Sequence, residues 1–161
     1  MSLAEELLIL ASRIANPEDS TPSQANLRRA VSTAYYALFH LLISEATLNW
    51  GRVELRAELG RVFDHGKMKN AAVQKRSALE SLKKSCQLSA NLYRVADTFI
   101  NLQQMRNRAD YDTGKVWDQT DALKSITEVE AAFESWKAIR DESEAQAFLV
   151  SMLGTRTRSD H

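Results

Sequence analysis

Apolar side chains recur at Leu88, Leu92, Val95, Phe99 and Leu102, at successive spacings of four, three, four and three. That period marks one continuous face of an amphipathic α-helix. The next positions on the same seam are Arg106 and Ala109, so a guanidinium stands where the pattern asks for an aliphatic side chain. Burying such a charge without partners is costly. Positions where local rules fail in this way tend to be functional or strained.

The same helical period governs most of the chain. Period-2 alternation is nearly absent, and only five Gly and two Pro occur in 161 residues. A first helix is predicted over Ser2 to Ala15, with Leu3, Leu7, Leu10, Ala11 and Ile14 on one side. It ends at Asn16-Pro17, where proline disfavours helical geometry in its predecessor. Thr21 then reads as an N-cap, with Pro22 in the first helical position and Gln24 completing a capping box. The second helix extends to about Leu48, along Leu27, Val31, Ala34, Leu38 and Leu41, widened by Tyr35, Phe39 and Leu42.

A short helix follows over Val53 to Phe63, closed by Asp64-His65-Gly66, and another spans Met68 to Leu82. The seam helix runs from Ser89 to Asp110. After the loop Tyr111 to Trp117, a last helix capped by Asp118 or Thr120 carries Leu123, Ile126, Val129, Phe133 and Trp136 on one face. Its continuation, with Ala145, Phe148, Leu149 and Met152, reaches Gly154, a natural helix stop. The expected fold is all-α, an antiparallel up-and-down bundle of four to five long helices plus a short helix. Residues 1–155 form one helical domain in this reading, and 156–161 a polar tail that frays.

Charge and cysteine content narrow the function classes. Lys plus Arg and Asp plus Glu both number 21, for a formal net charge of zero. This argues against a chain coated in positive charge for non-specific nucleic-acid binding, while leaving room for a local basic groove. The single cysteine, Cys86, has no partner for an intramolecular disulfide or a structural zinc. Glu5 and Glu6 stand where a secretory leader carries positive charge, and no apolar run is long enough to span a bilayer. The expected compartment is the cytoplasm, with no membrane association.

Three groups of side chains are candidates for chemistry. Within one turn of a helix end lie Arg106, Asn107, Arg108, Asp110 and Tyr111, which offer phosphate forks, an amide, a carboxylate and a phenol. The structural alternative is that Arg106 pairs with Asp110, four residues on. On the second helix, Arg29, Thr33, Tyr36 and His40 share a face opposite the Leu27–Leu41 seam. That face either packs on another helix or lines a groove at a dimer interface. Asp64-His65 offers an acid and a base, but adjacent helical residues do not face each other. As a helix C-cap, the same turn would put His65 near the carbonyl ends and Gly66 in a left-handed conformation. The three histidines, His40, His65 and His161, have no metal-binding spacing, and no glycine-rich phosphate loop is present. No metal or cofactor is expected.

The segment Arg28 to His40, the Asp64-His65-Gly66 turn and Arg106-Asn107-Arg108-Ala109-Asp110-Tyr111-Asp112 together resemble the HEPN superfamily. The similarity covers roughly Leu3 to Trp136 in order. The resemblance implies a helical bundle that dimerises. It implies either a metal-independent endoribonuclease in toxin–antitoxin, defence or RNA-processing systems, or an inactive nucleotide- or RNA-binding partner of a nucleotidyltransferase. Active members place a histidine four to six residues after an arginine. Here that arginine is Arg106, and the position after four intervening residues is Tyr111, followed by Asp112 and Thr113, with no histidine. A phenol with a pKa near 10 is a poor general base at neutral pH. The expectation is therefore an RNA- or nucleotide-binding homodimer, non-catalytic or weakly catalytic, that works beside a nucleotidyltransferase or antitoxin. In it, Arg106, Asn107 and Asp110 would line a groove with Tyr36 and His40 that receives a phosphate, and Arg29, Arg108 and His65 would also bind. The alternatives are a ribonuclease using Arg106 with Tyr111 or His40, and a structural scaffold.

Overall fold

The computed structural model describes residues 1–154; the expected polar tail lies outside them. Seven α-helices and one 3₁₀ turn, with no strand, are formed among the described residues. They are α1 (Leu3–Ala15), α2 (Gln24–Thr47), a 3₁₀ turn (Val53–Leu55), α3 (Arg56–Gly60), α4 (His65–Leu79), α5 (Gln87–Tyr111), α6 (Gln119–Ile139) and α7 (Ser143–Ser151). The all-α bundle expected from the periodicity is the fold observed.

Cross-links fix the order of the helices. The start of α2 meets the end of α5, where Arg28 donates to the carbonyls of Ala109 (2.9 Å) and Lys115 (2.7 Å). The end of α1 meets the start of α6, where Gln119 donates to the Ala15 carbonyl at 3.1 Å. The ends of α2 and α6 meet through Glu45 and Arg140, 2.5 Å apart. Hence α1, α2, α5 and α6 alternate in direction around the bundle, and α2 and α6 run parallel across its diagonal. Helix α4 lies against α5, α3 against α2, and α7 against α2 and α4.

The seam on α5 is buried as its spacing predicts, with Leu92, Val95, Phe99, Leu102 and Ala109 in the core. Helix α1 is rotated from the expected face. Leu3 and Leu10 are exposed, and Ala4, Ala11 and Ala15 are buried, because small side chains let α1 lie close on α2 without voids. Leu123 is likewise at the surface, whereas Ile126, Val129, Phe133 and Trp136 are in the core.

Several helix ends also differ from expectation. Ser23, not Thr21, caps α2 by accepting from the Asn26 amide. Gln24 instead brackets Trp117, donating to its carbonyl at 2.6 Å and accepting from its amide at 2.9 Å. Asp118 caps α6 by accepting from the Asp121 amide at 2.7 Å, so Thr120 is not the cap. The chain turns between Ile139 and Ser143, making α7 a separate helix. Gly154 has φ of +95°, the left-handed stop expected there. The Asp64-His65-Gly66 turn has the opposite sense to a C-cap. Asp64 is the N-cap of α4, accepting from the Lys67 amide at 2.8 Å. Gly66 is helical rather than left-handed.

Candidate functional site

Antiparallel packing of α2 on α5 sets the two tyrosines of α2 beside Arg106. The Arg106 side chain is 11% exposed and its Nη1 lies 3.7 Å from Asp110 Oδ2, one turn later on α5. Its guanidinium carbon is 5.3 Å from the Tyr35 ring centroid and 5.8 Å from that of Tyr36, within range of cation–π attraction. Its Nε is buried and has no hydrogen-bond partner. Asp110 also accepts a 3.4 Å hydrogen bond from the Ser32 hydroxyl.

The capping reversal at Asp64 brings in a histidine. As the first residue of α4, His65 is directed against α2, where its Nδ1 lies 2.6 Å from the Tyr35 hydroxyl. Its ring stacks on Phe39 at 4.3 Å and 19° and meets Tyr36 edge-on at 5.8 Å. His40 completes the ring cluster, 5.3 Å from Phe39 and 6.4 Å from Tyr36. Gln103 on α5 donates to the His65 carbonyl at 3.4 Å, leaving its own Oε1 buried without a partner.

Burial sets the protonation of this cluster. Desolvation pushes the Tyr35 phenol well above its ordinary value, against the opposing pull of Arg106. Tyr35 therefore keeps its proton, and its hydroxyl shares the hydrogen bond with His65 Nδ1 in either ring tautomer. Burial lowers the His65 pKa, Arg106 and His40 lower it further, and Asp64 opposes them. Burial also lowers the His40 pKa. Both rings are thus neutral bases at neutral pH, beside a cation with an unsatisfied N–H.

The structure brings together Arg106, Asp110, Tyr36, His40 and His65. It does not bring in Tyr111, which is 75% exposed. Arg29, Asn107 and Arg108 are also exposed, and none of the four makes a hydrogen bond or ion pair with the cluster among the described residues. Thr33 is buried and not groove-facing. Tyr35, Phe39, Ser32 and Gln103 belong to the site although their spacing marked only core or surface. The detectable signal was Tyr35 itself, since a phenol on a buried seam requires a hydrogen-bond partner. No three His, Cys, Asp or Glu side chains converge as metal ligands among the described residues. No described helix is long and apolar enough to cross a membrane.

Comparison of the chain with family models, curated proteins and solved structures finds no match.

Proposed function

We propose that the Arg106 cluster is a phosphate-recognition site and that the protein is an RNA- or nucleotide-binding module, non-catalytic or weakly catalytic. The observation that carries this reading is the Arg106 guanidinium, 11% exposed beside two tyrosine rings, with its Nε unpartnered and no close hydrogen-bonded carboxylate. Asp110, at 3.7 Å, is too distant for a hydrogen-bonded pair and leaves donors available. A phosphate oxygen would pair with the Nη donors that Asp110 leaves available. The HEPN resemblance supports the same end of the bundle as the binding region, with Tyr36, His40 and His65 at its margin. It also supports a homodimer acting in a toxin–antitoxin, defence or nucleotidyltransferase-associated system. Filter binding of a single-stranded RNA oligonucleotide tests the site. Arg106→Ala should weaken binding by about tenfold, the loss of one charge-assisted interaction; equal affinity contradicts the assignment.

His65 favours a second reading, a metal-independent endoribonuclease. Beside Arg106 the cluster holds an imidazole kept neutral at neutral pH. In this reading His65 or His40, rather than Tyr111, moves the proton from the ribose 2′-hydroxyl, and Arg106 stabilises the developing charge. Wild type, His65→Gln and Arg106→Ala are to be incubated with total RNA and a chelator. This reading requires cleavage by wild type that both variants lose. Absence of cleavage, or cleavage equal in all three, contradicts it.

A further inference from the structure

A cavity of about 570 Å³ opens between the start of α1, the second half of α2 and the arm formed by α3. Its volume falls within the range of small-ligand pockets. Phe39, Ile43 and Phe63 supply apolar walls, His40 stands at one edge, and Arg61 supplies a cation. The close approach of α3 to α2 forms its floor: a Cβ on Gly60 would lie 3.3 Å from Ile43 Cγ2.

Two features define its occupant. First, no carboxylate lines it, although Arg56 and Arg61 both do. The larger groove between α1 and α6 differs, with Glu5, Glu130 and Glu134 along it. Arg56 is engaged by the carbonyls of Trp50 and Leu48. Arg61 is exposed, and its guanidinium has no hydrogen-bond or ion-pair partner among the described residues. Second, the cavity adjoins the Arg106 cluster through shared side chains. Phe39, on its wall, stacks on His65. His40 neighbours Tyr36, which in turn flanks Arg106. A ligand matched to this space carries a planar, largely apolar group and negative charge.

We propose that this cavity is a nucleobase subsite: the base of a nucleotide enters between Phe39 and Phe63, and its phosphate lies toward Arg61 and the Arg106 cluster. The assignment rests on the reading of that cluster as a phosphate site and names what is joined to the phosphate. Aromatic walls hold bases by stacking without demanding one sequence.

Calorimetric titration of the four ribonucleoside 5′-monophosphates against ribose 5-phosphate isolates the base. At least one nucleotide should bind wild type tenfold or more tightly than ribose 5-phosphate. Ala57→Trp and Ser44→Trp each place a ring in the cavity from an exposed position, with helical content checked by circular dichroism. Both should abolish that preference and leave ribose 5-phosphate affinity unchanged. Absence of nucleotide binding, equal affinities in wild type, or a preference that survives both substitutions overturns the subsite. Failure of the phosphate reading shows separately, as nucleotide affinity unchanged in Arg106→Ala.

Discussion

The Nδ1 of His65 and the hydroxyl of Tyr35 lie 2.6 Å apart, tying the first residue of α4 to the buried face of α2. This one hydrogen bond places an imidazole beside Arg106, although 41 positions separate the two in sequence (106 − 65). It also supplies the partner that a buried phenol requires. Tyr35→Phe keeps the ring packing on Phe99 and Phe39 and removes only the hydroxyl. The expected cost is about 1 kcal/mol, read as a melting temperature lower by roughly 2–4 °C for a protein of this size. A wild-type melting temperature would show that His65 is not held by this bond.

Stability should depend on the two histidines. Their folded pKa values lie below the ordinary 6.5, chiefly through burial and, for His65, through Arg106. Between the folded value and 6.5 the unfolded chain binds more protons, so stability rises with pH through that window. The contribution is complete above 6.5 and is lost as pH falls through the folded values. The wild-type melting temperature should fall from about pH 7.5 to about pH 5.5. The double variant His40→Gln, His65→Gln should show a shallower fall over the same range; equal slopes would contradict the burial of these rings.

Helix capping gives a test independent of the site. Ser23→Ala should cost about 1 kcal/mol, because the serine satisfies the Asn26 amide at the start of α2. Thr21→Ala should change stability by less than about 0.5 kcal/mol. Chemical denaturation of the two variants reads the difference directly, and the reverse ranking would restore Thr21 as the cap.

Arg106 was legible in the sequence because the α5 seam is regular on both sides of it, so a charge on the buried line was conspicuous. The partner histidine was not. Asp64-His65-Gly66 can end one helix or begin another, and only the packing of α4 on α5 selects the second. With the turn reversed, Asp64 caps α4 and His65 meets Tyr35 instead of lying near carbonyl ends. Tyr35 itself was hidden by its position, since a seam residue with an aromatic ring reads as core until its hydroxyl is followed. The exposed Leu3 and Leu10 mark the complementary limit. Hydrophobic periodicity locates α1, but close packing of its alanines decides which face is buried.

The reading of Arg106 as a binding residue carries a consequence for stability. Its 3.7 Å ion pair and its orphaned Nε leave the buried charge poorly compensated. Arg106→Met, which keeps a long stem, should therefore be neutral or stabilising by up to about 1 kcal/mol in thermal denaturation. A marked destabilisation would instead make Arg106 a structural ion-pair member with Asp110.

The most direct test of the central claim is the salt dependence of single-stranded RNA binding, measured for wild type and Arg106→Met. If Arg106 neutralises a phosphate, the variant should bind more weakly at every salt concentration. Its log–log slope should also be shallower by about 0.7, the value of one phosphate contact on a single strand. Parallel lines of equal affinity would show that Arg106 does not contact the nucleic acid.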